Sequence, residues 1–159
     1  MWIVLTTSTN IDIITPDLND YWERYIMSYM NQSIKKELAP AIKAVLKKYK
    51  MKGSIAVRHY SSLVVNIKSG EIDMMRKFAE SEYPRDYIQV NPYWITENWE
   101  DPTAAAFLTE LKAAMEGPNF YNNDDTMTDY FDRSHYVDMN VGTFSKPYVY
   151  TPAENKKAA

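Results

Sequence analysis

The stretch "NQSIKKELAPAIKAVLKKYK", residues 31–50, runs straight into "MKGSIAVRHYSSLVVNIKSG", residues 51–70, and the hydrophobic period changes between them. In the first half Ile34, Leu38, Ile42, Val45 and Tyr49 recur every three or four positions and make one apolar stripe, as an amphipathic helix requires. Lys36, Lys43, Lys47 and Lys50 fall on the opposite face. Pro40 removes a backbone donor, which predicts a kink or a break between two helices. In the second half the period drops to two. Gly53 reads as the helix stop, and two alternating runs flank a turn at Ser61–Ser62, which predicts a β-hairpin. Simple alternation puts Ile55, Val57 and His59 on one face with Leu63, Val65 and Ile67. The other face then carries Arg58, Tyr60, Asn66 and Lys68.

The remaining segments extend this pattern. "EIDMMRKFAESEY" predicts a short helix with Ile72, Met75 and Phe78 inward. A strand is expected at "YIQV" within an otherwise irregular stretch, and "DPTAAAFLTELKAAMEG" predicts a long helix ending at Gly117. "PNFYNNDDTMTDYFDR" reads as a polar loop, "HYVDMNVG" as a strand and "KPYVY" as a further one. Before residue 31, "WIVLTT" has strand character and "TPDLNDYWERYIMSYM" opens like a helix, with Thr15 as cap and Pro16 in the first turn. Helices interleaved with strands predict a single α+β domain over residues 1–150: a two-layer sandwich, helices packed on one face of a small antiparallel sheet. Residues 1–30 read as an N-terminal extension of that core, and the composition of 151–159 is that of a disordered tail.

Composition narrows the chemistry. The chain of 159 residues has no cysteine, which removes disulfides, thiolate metal sites and cysteine nucleophiles and suits a reducing cytoplasm. No apolar run reaches the ~20 residues of a membrane span. Charge is unevenly placed: residues 31–68 hold nine basic groups and one acid, and residues 69–155 hold six basic and sixteen acidic groups. Such polarity can steer charged partners.

"TDYFDRSHYVDMNVG", residues 128–142, concentrates acids, aromatics and one of the two histidines. The acids Asp124, Asp125, Asp129 and Asp132 lack the Gly and terminal Glu of a calcium hand. His135 alternates with Val137, Met139 and Val141, which predicts a core-facing ring. The chain has no Gly-x-Ser-x-Gly, His-Glu-x-x-His or Walker motif, so no catalytic residue, metal or cofactor is assigned and a non-enzymatic protein is expected. The exposed set predicted to meet a partner is Tyr121, Asp124, Asp125, Asp129, Tyr130, Asp132, Tyr136, Asp138 and Asn140. Two alternatives stand beside it. One is nucleic-acid binding through Lys36, Lys43, Lys47, Lys50 and Arg58. The other is a nuclease with a loosely held magnesium ion and a His–Asp pair.

Three pieces, "MTDYFDRSHYVDMNVGTFSKPY" (127–148), "VNPYW" (90–94) and "SIKKELAPAIKAVLKKYKMKGSIAVRHYSSLVVNIKSG" (33–70), resemble small α/β proteins of phages and mobile elements, similar to a domain associated with large polyvalent phage proteins. The resemblance spans most of residues 31–150, and its most distinctive parts are Thr-Asp-Tyr-Phe-Asp and Lys-Pro-Tyr. It carries no catalytic residues. It implies an accessory protein that counters host defence, anti-CRISPR-like, with a host defence protein or nucleoprotein complex as partner. Clustered carboxylates can imitate phosphates in a basic channel, so the acidic, aromatic set fits that expectation.

Overall fold

The computed structural model describes residues 28–153; the strand and helix expected before residue 28 lie outside them. Helix α1 (Gln32–Lys48) starts where the Asn31 side chain accepts the Ile34 N–H at 2.8 Å, and it ends with Lys47 and Lys48 at the negative end of its dipole. It runs unbroken through Pro40. Pro40 lies on the exposed face, where the carbonyl it leaves unbonded can be hydrated, so the lost donor does not break the helix. The apolar stripe turns inward: Ile42 and Leu46 are buried, and Ile34, Leu38, Val45 and Tyr49 pack against the same core.

Strands β1 (Met51–Arg58) and β2 (Ser62–Gly70) form the antiparallel hairpin. Its turn lies earlier than Ser61–Ser62. His59 and Tyr60 both take positive φ, 53° and 55°, and the Ser61 N–H donates to the Arg58 carbonyl at 3.2 Å. Two left-handed residues in succession match the twist of the flanking strands. His59 is therefore in an exposed turn and not on the core face. Gly53 does not stop the helix. It sits inside β1 at a bulge, where a Cβ would lie 2.8 Å from the Asn66 carbonyl oxygen.

The chain continues through α2 (Arg76–Ala79), β3 (Ile88–Val90), α3 (Ile95–Asn98), α4 (Pro102–Glu116), β4 (Tyr136–Val141) and β5 (Val149–Tyr150). The strand order is β1-β2-β4-β3, with β5 beside the end of β2. The fold is α+β, as expected, but the sheet is mixed and not wholly antiparallel. β2 pairs with both β4 and β5 in parallel, and only β1–β2 and β3–β4 are antiparallel. The reason is connectivity: β2 and β4 are joined by a long excursion through three helices, and such a crossover returns the chain in the same direction.

The register decides which residues meet. Leu63, Val65 and Ile67 of β2 lie opposite Val137, Met139 and Val141 of β4, and Ile88 and Val90 of β3 extend the same face. Against it pack α1 and α4, the latter through Phe107, Leu108, Leu111 and Met115. Asp101 caps α4 by accepting the Thr103 N–H at 2.9 Å, and Gly117, at φ 77°, ends it. The Tyr148 hydroxyl donates to the Ile72 carbonyl at 2.6 Å inside this core, and burial raises its pKa far above the ordinary phenol value. Thr151, placed in the tail by composition, donates from N to the Gly70 carbonyl at 2.8 Å; residues 154–159 lie outside the described residues.

Candidate functional site

Residues 121–134 are an ordered arm, not an irregular loop. Asn122 bridges Arg133 and Asp125 bridges Tyr130 in antiparallel fashion, with the Asn123 N–H donating to the Asp132 carbonyl at 2.7 Å. At the tip, Asp125 accepts from the Thr128 hydroxyl and the Met127 N–H, both at 2.9 Å, and these bonds hold its carboxyl below the usual range. Asp129 closes the turn at φ 53°. The sequence signal for this lies in its Asn and Asp residues, whose short side chains bond to backbone two or three positions away.

The arm sorts the predicted acids by role. Asp124 is not part of an open surface. Its side chain is 8% exposed, one oxygen accepts the Asp132 N–H at 2.9 Å and the other accepts from the Arg133 guanidinium. Arg133 is itself mostly buried and lies over the Tyr136 ring, its Cζ 4.6 Å from the ring centre. This pair welds the base of the arm to β4. Outward from it, Tyr121, Asp125, Asp129 and Tyr130 are exposed and Asp132 is half-exposed. Two neighbours that sequence reasoning left out stand among them: Met127, 92% exposed at the tip, and Phe131.

The strand residues of the predicted set occupy a different place. Tyr136, Asp138 and Asn140 do share the non-core face of the sheet with Arg58 and Asn66. There they are engaged with each other. Arg58 lies 3.5 Å from Asp138, and the Asn140 amide donates to the Asn66 Oδ1 at 2.9 Å. The set predicted as one surface is thus an outward arm plus a half-buried, internally bonded sheet face.

The lysine set divides too. Lys36, Lys43 and Lys47 are exposed along α1. Lys50 is 3.3 Å from Glu71, and Arg58 is held by Asp138. Lys48, outside the predicted set, lies 2.9 Å from Glu110 on α4. Histidine chemistry finds no partner geometry among the described residues. His59 is in the hairpin turn. His135 is 4% exposed, donates from Nε2 to the Met115 carbonyl at 2.9 Å, and has its pKa lowered by burial, which disfavours the charged ring. The described residues contain no group of three or more His, Asp or Glu side chains placed to hold a metal ion.

Beside the base of the arm lies an open cleft of 610 Å³, bounded by the end of β3, the turn at Asn91–Tyr93, the last turns of α4 and the start of β4. Gln89, Asn91, Tyr93, Lys112 and Asn122 line it with Arg133 and Tyr136. Of these, Asn91 and Tyr93 fall within the "VNPYW" piece that carries the sequence resemblance. Lys112 does not, since only the packing of α4 brings it 5.6 Å from the Tyr93 ring centre.

No described helix is long and apolar enough to cross a membrane. Compared with known proteins, the chain matches no family model, no curated protein and no solved structure.

Proposed function

We propose that this chain is a phage-type accessory binding protein that inhibits a host defence complex, with the arm at residues 121–134 as its contact surface. The observation that supports this reading is the arm's construction. Its one cation, Arg133, is neutralised inward by Asp124, so the outward side offers Asp125, Asp129 and Asp132 among Tyr121, Tyr130, Phe131 and Met127. Negative charge on a pre-ordered aromatic scaffold suits a basic, nucleic-acid-handling groove. Carboxylates steer the encounter, aromatic rings and Met supply desolvated contact, and the ordered hairpin lowers the entropy lost on docking. The phage and anti-defence context comes from the sequence resemblance.

The test is capture from host lysate by the full chain, with and without nuclease, against a variant carrying Asp129→Lys and Asp132→Lys. The reading expects a protein partner that survives nuclease treatment and is lost with the charge reversal while thermal stability is retained. Equal capture by the variant would remove the arm as the contact.

A second reading is supported by the free lysines of α1. Lys36, Lys43 and Lys47 share one exposed face with Pro40, and no carboxylate pairs with them among the described residues. They span about 16 Å at 1.5 Å per residue, enough to follow several phosphates. This reading expects salt-dependent retention on DNA or RNA that is lost in Lys43→Glu with Lys47→Glu; no retention at low salt would dismiss it.

A further inference from the structure

We propose that the cleft between β3, α4 and the base of the arm is a nucleobase site: it takes a planar, uncharged nitrogen heterocycle, stacked on Tyr93 and hydrogen-bonded by side-chain amides. Its 610 Å³ falls within the range of small-molecule sites. The charge pattern argues against a multiply charged anion. Lys112 lies 3.8 Å from Glu116, Asp124 neutralises Arg133, and Asp138 faces Arg58 at 3.5 Å. What the lining has left to offer is amide and ring. Asn91 Oδ1 accepts the Tyr93 N–H at 3.0 Å, and Asn122 Oδ1 accepts the Asp124 N–H at 3.1 Å. Each of those side chains thus keeps its NH₂ as a donor among the described residues, and Gln89 adds a third amide to the lining. Base ring nitrogens and carbonyl oxygens are the acceptors that such donors match. Tyr93 is 60% exposed, and the Lys112 cation lies over one face of its ring, so a stacked base takes the opposite face. A ring held this way is a platform for stacking a base of any identity.

The base could belong to a free nucleoside or to an unpaired position in a strand, and one titration separates these. The full chain is followed by backbone amide NMR while each of the four ribonucleosides, inorganic phosphate and single-sequence RNA octamers is added. The expected result is saturable shifts at Asn91, Tyr93 and Asn122 with at least one nucleoside. Tyr93→Ala should weaken that binding about tenfold, the loss of one stacked base. Tyr93→Phe should preserve it, and Lys112→Ala should change it less than about twofold. An octamer that binds more tightly than its nucleoside identifies a strand as the source; equal affinity identifies the free nucleoside. No saturable shift with any nucleoside overturns the proposal. So does binding indifferent to Tyr93→Ala in a variant whose spectrum shows it folded, and so do the same shifts produced by inorganic phosphate. Tyr130→Ala, on the arm, should leave nucleoside binding untouched, so this test and the arm's fail independently.

Discussion

The His135 ring donates from Nε2 to the carbonyl oxygen of Met115, 2.9 Å away and inside the last turn of α4. Helix ends leave carbonyls without intrahelical donors. A side chain from the threshold of β4 therefore completes the end of the helix that precedes the arm, and Phe120 braces the ring edge-on at 5.3 Å. His135→Ala should cost roughly 2–4 kcal/mol, since it opens a cavity and strands a carbonyl. Chemical denaturation measures this, and a loss below about 1 kcal/mol would show the contact to be incidental.

The same ring sets a pH dependence. Burial lowers the folded-state pKa of His135 below its ordinary 6.5. The unfolded chain then binds the proton more readily, so stability falls as pH drops below about 6.5 and stops falling on this account below the folded pKa. Asp125 and Glu110, whose folded pKa values are depressed, add a separate loss at more acid pH, as pH falls through those values. Thermal midpoints from pH 8 to pH 5 should decline in the wild type, and His135→Gln should flatten the upper part of that decline. A wild-type profile already flat across pH 5 to 7 would contradict the assignment.

Asp124→Asn should loosen the arm more than the body. It removes the charge that neutralises a largely buried guanidinium, whose Nε already has no hydrogen-bond partner. Breaking such a pair from one side costs roughly 3–5 kcal/mol. Hydrogen exchange should accelerate at the Asn123, Asp125 and Asp132 amides while those of β1 and β2 keep their protection. Uniform acceleration would mean that arm and body unfold as one.

Gly142→Ala probes the close of the sheet. Gly142 has φ 73°, and a Cβ there would meet the Tyr148 backbone nitrogen at 2.7 Å. The left-handed conformation alone costs roughly 1–2 kcal/mol for an L-residue, and the obstruction is backbone, which cannot rotate away. A midpoint within error of wild type would show that the loop after β4 can shift to admit the methyl group.

Where the sequence was legible, it was so because a single period ruled. The α1 stripe, the alternation of β2 and β4 and the Gly117 stop are each set by local residues. The hairpin turn was misplaced because two non-glycine residues, His59 and Tyr60, take left-handed conformations that their types do not advertise. The parallel pairing of β2 with β4 depends on how a long connection folds, which no local pattern encodes. The same holds for the site. The acids and aromatics of the arm were visible, but the inward turn of Asp124 depends on its pairing with Arg133, and the cleft depends on Tyr93 and Lys112 meeting from distant segments.

The bridge between Asn122 and Arg133 has a consequence beyond order. The arm leaves the body and rejoins it at neighbouring points, so everything from 125 to 131, beyond the Asp124–Arg133 pair, is a detachable cassette in topological terms. Its length and sequence can drift without moving either anchor, because closing a longer loop between fixed ends costs only a few tenths of a kcal/mol for a few added residues. A lineage under pressure to track a changing target could rewrite this segment while α1, α4 and the sheet stay as they are, and a laboratory could graft foreign recognition sequences onto the same two posts.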